Sequence, residues 1–221
     1  TSGHAVIGNP LLTGTITGVS IIGSPNNRIG GPTAAERNVI SGSGKFGEEG
    51  CPYGTQVVIN DSPNTILEGN YIGTVEDGSA AYPNQRGTEG VAVVNSDNVV
   101  VRGNLISGIK IAGFNHCNGQ LFGTALLVSG NSTGTLIVGH RIGTNAAGTA
   151  AVQSVVGVLT AYDSFTATTP TRTQLGGNNA IAYQVADGVR LHPGSFSTTI
   201  SQNSIHDNGG LGINLQGTGN G

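Results

Sequence analysis

The chain has 221 residues, of which 38 are glycine; Met and Trp are absent, charged residues make up 10%, and the formal net charge is −3. A helical protein needs many Glu, Lys, Arg and Ala on its solvent faces, so this composition excludes one and points to short strands and tight turns. Without a basic run there is no electrostatic footprint of a nucleic-acid binder, and no apolar run reaches the roughly 18 residues of a membrane span.

In chain order, the first element is an alternating phrase, Gly18-Val19-Ser20-Ile21. It returns as Gln56-Val57-Val58-Ile59, Gly90-Val91-Ala92-Val93, Gly188-Val189-Arg190-Leu191 and Gly212-Ile213-Asn214-Leu215. Period-two alternation predicts a strand with one face buried, the Val, Ile and Leu positions pointing inward. In the fourth and fifth coils Leu126/Val128 and Val156/Val158 are the inward candidates. A polar turn follows, Ser24-Pro25-Asn26, Ser62-Pro63-Asn64 or Ser96-Asp97-Asn98. Next comes a short strand closing in Gly, such as Ile66-Leu67-Glu68-Gly69 or Leu136-Ile137-Val138-Gly139. The coil ends on Asn-x-Ile.

That last phrase appears at Asn38, Asn70, Asn104, Asn179 and Asn203, with His140 in the Asn place of one further copy; successive copies lie 32, 34, 36, 39 and 24 residues apart. A phrase recurring at such intervals marks a solenoid. Three short strands per coil, repeated about seven times, predict an all-β single-stranded parallel β-helix occupying 1–221 as one domain. At a sharp inward turn backbone groups lose their ladder partners. A buried Asn supplies both a donor and an acceptor and can bond its counterpart one coil away. The set Asn38, Asn70, Asn104, His140, Asn179 and Asn203 is therefore expected as an interior ladder, with Ile40, Ile72, Ile106, Ile142, Ile181 and Ile205 as an aliphatic stack beside it.

Lys is scarce, and Asn60-Asp61-Ser62 and Asn131-Ser132-Thr133 would be glycosylation acceptors in a eukaryotic secretory pathway. A chain without Met reads as a processed product or a piece of a longer one, and the whole leans towards a secreted or cell-surface location. Cys51 and Cys117, both in loop-like segments, are read as a disulfide, with two unpaired thiols as the alternative; a second cysteine pair for zinc is missing.

The runs Asn27-Arg28-Ile29-Gly30-Gly31-Pro32-Thr33-Ala34-Ala35-Glu36-Arg37-Asn38-Val39-Ile40 and Glu68-Gly69-Asn70-Tyr71-Ile72-Gly73-Thr74 resemble bacterial right-handed parallel β-helix repeats. So do Arg141-Ile142-Gly143-Thr144-Asn145-Ala146-Ala147-Gly148-Thr149 and Asn203-Ser204-Ile205-His206-Asp207-Asn208-Gly209. Such repeats belong to large secreted and surface proteins of the pectate-lyase-like superfold. The resemblance implies a right-handed helix, and it implies that an enzyme site would lie on the outer face of one parallel sheet. That superfold hosts polysaccharide lyases, hydrolases, epimerases, adhesins and tailspikes alike, so function has to be read from the site.

Glycoside hydrolysis needs paired carboxylates. The outward positions of the first strand are Ser20, Val58, Ala92, Arg190 and Asn214, flanked by Ile22, Asn60, Val94 and His192, and they hold no Asp pair. The candidate catalytic group is Asp187, Arg190 and His192. Arg190 and His192 share one strand face; Arg can bind a uronate and His can act as a base near neutral pH. His206-Asp207 is a second polar pair, on a predicted turn. The leading expectation is a non-catalytic structural or adhesive module of an extracellular protein that contacts neighbouring β-helix coils or stacks end to end with its own copies into a fibre. A polysaccharide lyase or epimerase, calcium-assisted if a lyase, and a glycan-binding module are the alternatives; no metal site is otherwise expected. Loops 43–56, 73–89 and 108–123 are expected to stack on one side, their aromatics covering outward Val39, Tyr71 and Leu105 or forming a sugar platform.

Overall fold

The computed structural model describes residues 6–7, 17–46, 52–83, 87–110 and 123–216. The chain winds into a parallel β-solenoid with three sheets running along it. The long-strand sheet stacks Thr17–Ile22, Thr55–Asn60, Glu89–Val94, Thr124–Ser129, Val156–Ala161, Val189–Leu191 and Ile213–Leu215. A middle sheet stacks the six strands from Arg28–Gly30 to Thr199–Ile200, and a third sheet seven strands from Val6–Ile7 to Ser204–His206, among them the five Asn-x-Ile copies and the His140 copy. Every rung in these sheets is parallel, as a chain that always turns the same way requires.

The register puts like on like. Val57, Val91, Leu126, Val158 and Val189 form one inward column of the long-strand sheet. Leu67, Val101, Ile137 and Leu175 form that of the middle sheet, and Ile40, Ile72, Ile106, Ile142 and Ile181 that of the third. All are sealed from solvent, so the core is a continuous aliphatic column. Each such side chain contributes roughly 1.5–3 kcal/mol relative to exposure. In the fifth coil the inward pair is Val158 and Thr160, not Val156 and Val158. Val156 lies at the strand's head opposite Thr124, two residues earlier than the alternation suggests. The buried Thr160 hydroxyl accepts the His192 N–H at 3.0 Å and bonds Ser195 Oγ at 2.8 Å. A polar group thus sits in an inward column because the next turn supplies its partners.

At the Asn turn each rung's backbone N–H donates to the side chain of the next. Asn38 gives to Asn70 Oδ1 at 3.1 Å, Asn70 to Asn104 Oδ1 at 2.8 Å, and Asn104 to His140 Nδ1 at 3.1 Å. His140 gives to Asn179 Oδ1 at 2.9 Å, and Asn179 to Asn203 Oδ1 at 3.3 Å. Each side chain also donates one coil back. Asn70, Asn104, Asn179 and Asn203 give Nδ2–H to the carbonyls of Ile29, Leu67, Ile137 and Leu175. The His140 ring does the same work with its two nitrogens: Nδ1 accepts from Asn104, so Nε2 carries the proton and meets the Val101 carbonyl at 2.8 Å. Complete burial holds its pKa down to about 4, and the ring is neutral.

A second ladder runs at the other turn. Ser24, Ser62 and Ser96 donate their N–H groups to Ser62, Ser96 and Ser132 Oγ at 3.1, 2.9 and 3.1 Å. In the sequence these serines read only as turn residues.

Gly69, Gly103 and Gly139, the residues just before three ladder rungs, adopt φ of +70°, +62° and +71°. At Gly139 a Cβ would meet nothing nearer than 3.8 Å, so only the left-handed backbone opposes a side chain. Gly139→Ala is expected to lower stability by about 1 kcal/mol, as read by urea denaturation. A loss several times larger would mean that packing, not φ, holds this corner.

Candidate functional site

The outer face of the long-strand sheet presents Ser20, Val58, Ala92, Leu127, Leu159, Arg190 and Asn214 in one register column. Its middle coils are apolar, with Ser20 at one end and Arg190 and Asn214 at the other. In the sixth coil Asp187 pairs with Arg190, while His192 follows two residues further along and bonds neither of them; its contacts are with Thr160, Gly194 and Tyr162. Asp187 lies at the head of the strand that carries Arg190. Its Oδ2 accepts Arg190 Nε at 2.6 Å and Asn214 Nδ2 at 2.8 Å, and its Oδ1 accepts the Leu211 N–H at 2.9 Å. Partial burial pushes the Asp187 carboxyl up. The bonds from Asn214, Arg190 and Leu211 and the guanidinium charge outweigh that and hold it below the ordinary carboxylate range. It is therefore an ionised carboxylate whose three donors are already seated.

His192 stacks on Tyr162 of the preceding coil, ring centroids 5.9 Å apart and planes 22° from parallel. Its Nδ1 accepts the Gly194 N–H at 3.2 Å. In the neutral ring the proton therefore sits on Nε2, which faces any ligand as a donor. A general base needs a lone pair within reach of the proton it takes, and this bond occupies the one His192 has. The carboxylate is engaged by three donors, and the imidazole keeps Nε2–H as its remaining donor.

Beside this cluster stand exposed aromatics that sequence reasoning did not single out. Phe165 is 98% exposed, Phe196 66% and Tyr162 47%. The only signal for them in the sequence is a Phe inside a turn rich in Thr and Ser. The same reasoning also missed Glu89, at the head of a long strand opposite Thr55 and Thr124. Its Oε2 accepts the hydroxyls of Thr88 and Thr55 at 2.6 and 2.9 Å. Burial raises its pKa against the lowering effect of those two bonds.

His206 Nδ1 and Asp207 Oδ2 lie 2.8 Å apart, both exposed, with Tyr183 edge-on to the imidazole. On the far side, the runs 73–82 and 143–152 fold into matching hairpins, closed by Tyr82 N–H to the Gly73 carbonyl and Val152 N–H to the Gly143 carbonyl. Two coils apart in sequence, they touch through the Ala146 N–H and the Gly78 carbonyl at 2.9 Å. Gly78 seats against Tyr71 and Leu105, and Leu105 is buried. A groove of about 460 Å³ between the hairpins is lined in part by Tyr82, Lys110 and Gln153, with Lys110 Nζ on Gln153 Oε1 at 3.0 Å. Cys51 and Cys117, like Phe114 and Phe122, lie outside the described residues. Among the described residues no three His, Cys, Asp or Glu side chains gather to hold a metal ion, and no helix is long and apolar enough to cross a membrane.

The solenoid is similar to the crystal structure of PfbA, a surface adhesin of Streptococcus pneumoniae, with a TM-score of 0.54 and 14% sequence identity. The match covers 86% of this chain and 41% of that one. The chain is a parallel β-helix repeat protein. No family model and no curated protein sequence matches it. At this identity the likeness carries the fold and nothing of the site.

Proposed function

We propose that the chain is a non-catalytic β-helix module of an extracellular surface protein, structural and adhesive in role. The observation that carries this reading is the saturation of its best polar cluster: Asp187 accepts three donors, and the His192 Nδ1 lone pair is taken by Gly194. A lyase base or a hydrolase acid–base pair needs groups that exchange protons with substrate, and these are engaged with their own coil or the next. The fold's likeness to a pneumococcal surface adhesin supports a surface location.

The test is a turnover assay on neutral and acidic polysaccharides, with and without calcium, following new reducing ends and unsaturated products. The expected result is a rate no higher than that of a variant carrying both Asp187→Ala and His192→Ala. Turnover that this double variant abolishes would overturn the reading.

A further inference from the structure

The corner where the long-strand sheet turns into the middle sheet, in the fifth and sixth coils, has features the structural role leaves unexplained. Apolar side chains at surface turns are ordinarily tucked against the body, and large exposed ones mark contact sites. Here two phenylalanines project into solvent from adjacent turns, in a chain with only five Phe.

Both turns are held firmly. The Asp163 N–H bonds the Thr168 carbonyl at 2.9 Å, while the Asp163 carboxylate accepts the Phe165 N–H at 3.0 Å and the Thr166 hydroxyl at 2.7 Å. The two turns are also tied to each other. Thr169 Oγ1 donates to the Gly194 carbonyl, and the Arg172 N–H donates to the Phe196 carbonyl at 3.0 Å. The rings are therefore displayed on backbone that is already ordered, which lowers the entropy lost on binding.

We propose that this corner is a carbohydrate-binding platform, with Phe165 and Phe196 stacking on sugar rings and Tyr162, Arg190 and His192 bonding their hydroxyls, and that its ligand is a neutral pyranose polysaccharide. The inference rests on the adhesive reading above and names the ligand class of that module. Two features favour a sugar over a protein. The exposed aromatics of the corner are three, Tyr162, Phe165 and Phe196, and at about 150–250 Å² each they fall short of the roughly 1,000 Å² or more that a stable protein interface buries. Donors share the corner: His192, stacked on Tyr162, offers Nε2–H, and Arg190, two residues earlier on the same strand face, keeps its terminal amino groups beyond the Nε given to Asp187.

Neutrality of the ligand follows from the local charge. Asp187 pairs with Arg190 at 2.6 Å, and Asp163 and Arg172 add one charge of each sign, so no excess positive charge selects an acidic chain. A lipid-like or purely apolar partner would leave the donors unpaired.

The test is affinity electrophoresis of the intact chain through gels containing hydroxyethylcellulose, galactomannan, polygalacturonate or hyaluronan. Alongside run Phe165→Ala, Phe196→Ala, the double variant and Arg190→Gln. Both phenyl rings are exposed, so unfolding curves of the Phe variants are expected to superimpose on the parent. The expected result is retardation in at least one neutral gel, weakened at least tenfold in dissociation constant by the double Phe change and severalfold by Arg190→Gln. Retardation confined to the acidic gels and indifferent to the Phe changes would overturn the proposal, as would no retardation in any gel. So would Phe-dependent capture of matrix proteins without glycan binding, which would make the corner a protein-docking site. Shortening of the gel polysaccharide would instead count against the non-catalytic reading, so the two failures are separable.

Discussion

Asn104→Leu is expected to destabilise the fold by about 4 kcal/mol, because one side chain closes two gaps in the backbone. Its Oδ1 accepts the Asn70 N–H at 2.8 Å, and its Nδ2 donates to the Leu67 and Arg102 carbonyls at 2.9 and 3.0 Å. Asn104 is 1% exposed, so no water replaces those partners. Leucine has similar volume and leaves no cavity, so the measured loss isolates the hydrogen bonds from the packing. Each buried polar group left without a partner costs about 1–3 kcal/mol, and the carbonyls, with a second lone pair, sit at the low end of that range. Urea denaturation at neutral pH followed by circular dichroism gives the number. A loss under about 1 kcal/mol would mean that the turn relaxes and passes its orphaned groups to solvent.

The fold was legible because a solenoid writes itself in its repeats. Asn-x-Ile marked one turn in every coil it names, and the alternation around Val57, Val91 and Val189 located a second sheet. Legibility failed where the local pattern and the tertiary register diverged. Val156-Gly157-Val158 alternates as well as any inward pair, yet the register runs two residues later, and a hydroxyl takes an inward place because the next coil's turn satisfies it. The serine ladder was hidden for a similar reason: serine suits an exposed turn on its own, and only the stacking of one turn on another shows that it is buried.

At the site, period two placed Arg190 and His192 on one face. The features that decide their chemistry come from elsewhere. The Asn214 amide and the Tyr162 ring arrive from neighbouring coils, and the Gly194 N–H from the following turn. Residue type suggested a base; nothing in the local sequence shows that its Nδ1 accepts the Gly194 N–H.

The single break in the Asn ladder gives the second large effect, and its sign follows from linkage. His140 has a folded pKa of about 4, below the 6.5 of an unperturbed histidine, because burial disfavours its charged form. The neutral ring is what the fold binds, so its contribution is complete above pH 6.5. As the pH falls from 6.5 towards 4 the unfolded chain takes up a proton that the folded chain refuses, and stability declines by up to about 3 kcal/mol. Below that the folded ring must itself be protonated. Its Nδ1 would then carry a hydrogen and could no longer accept the Asn104 N–H at 3.1 Å; that hydrogen would turn to the Asn104 carbonyl at 3.2 Å, leaving the buried N–H without its partner. His140→Asn restores the residue found at the other rungs. Asn at those rungs likewise accepts from the coil before and donates one coil back. The variant is expected to match the parent at pH 7 and to exceed it progressively at pH 5 and pH 4. Subtracting the two urea-denaturation profiles cancels Asp187, Glu89 and the other carboxylates, which titrate in both proteins. A difference profile flat from pH 7 to pH 4 would mean that the His140 ring is charged in the fold or reached by water, and the neutral two-nitrogen bridge described for this rung would be wrong.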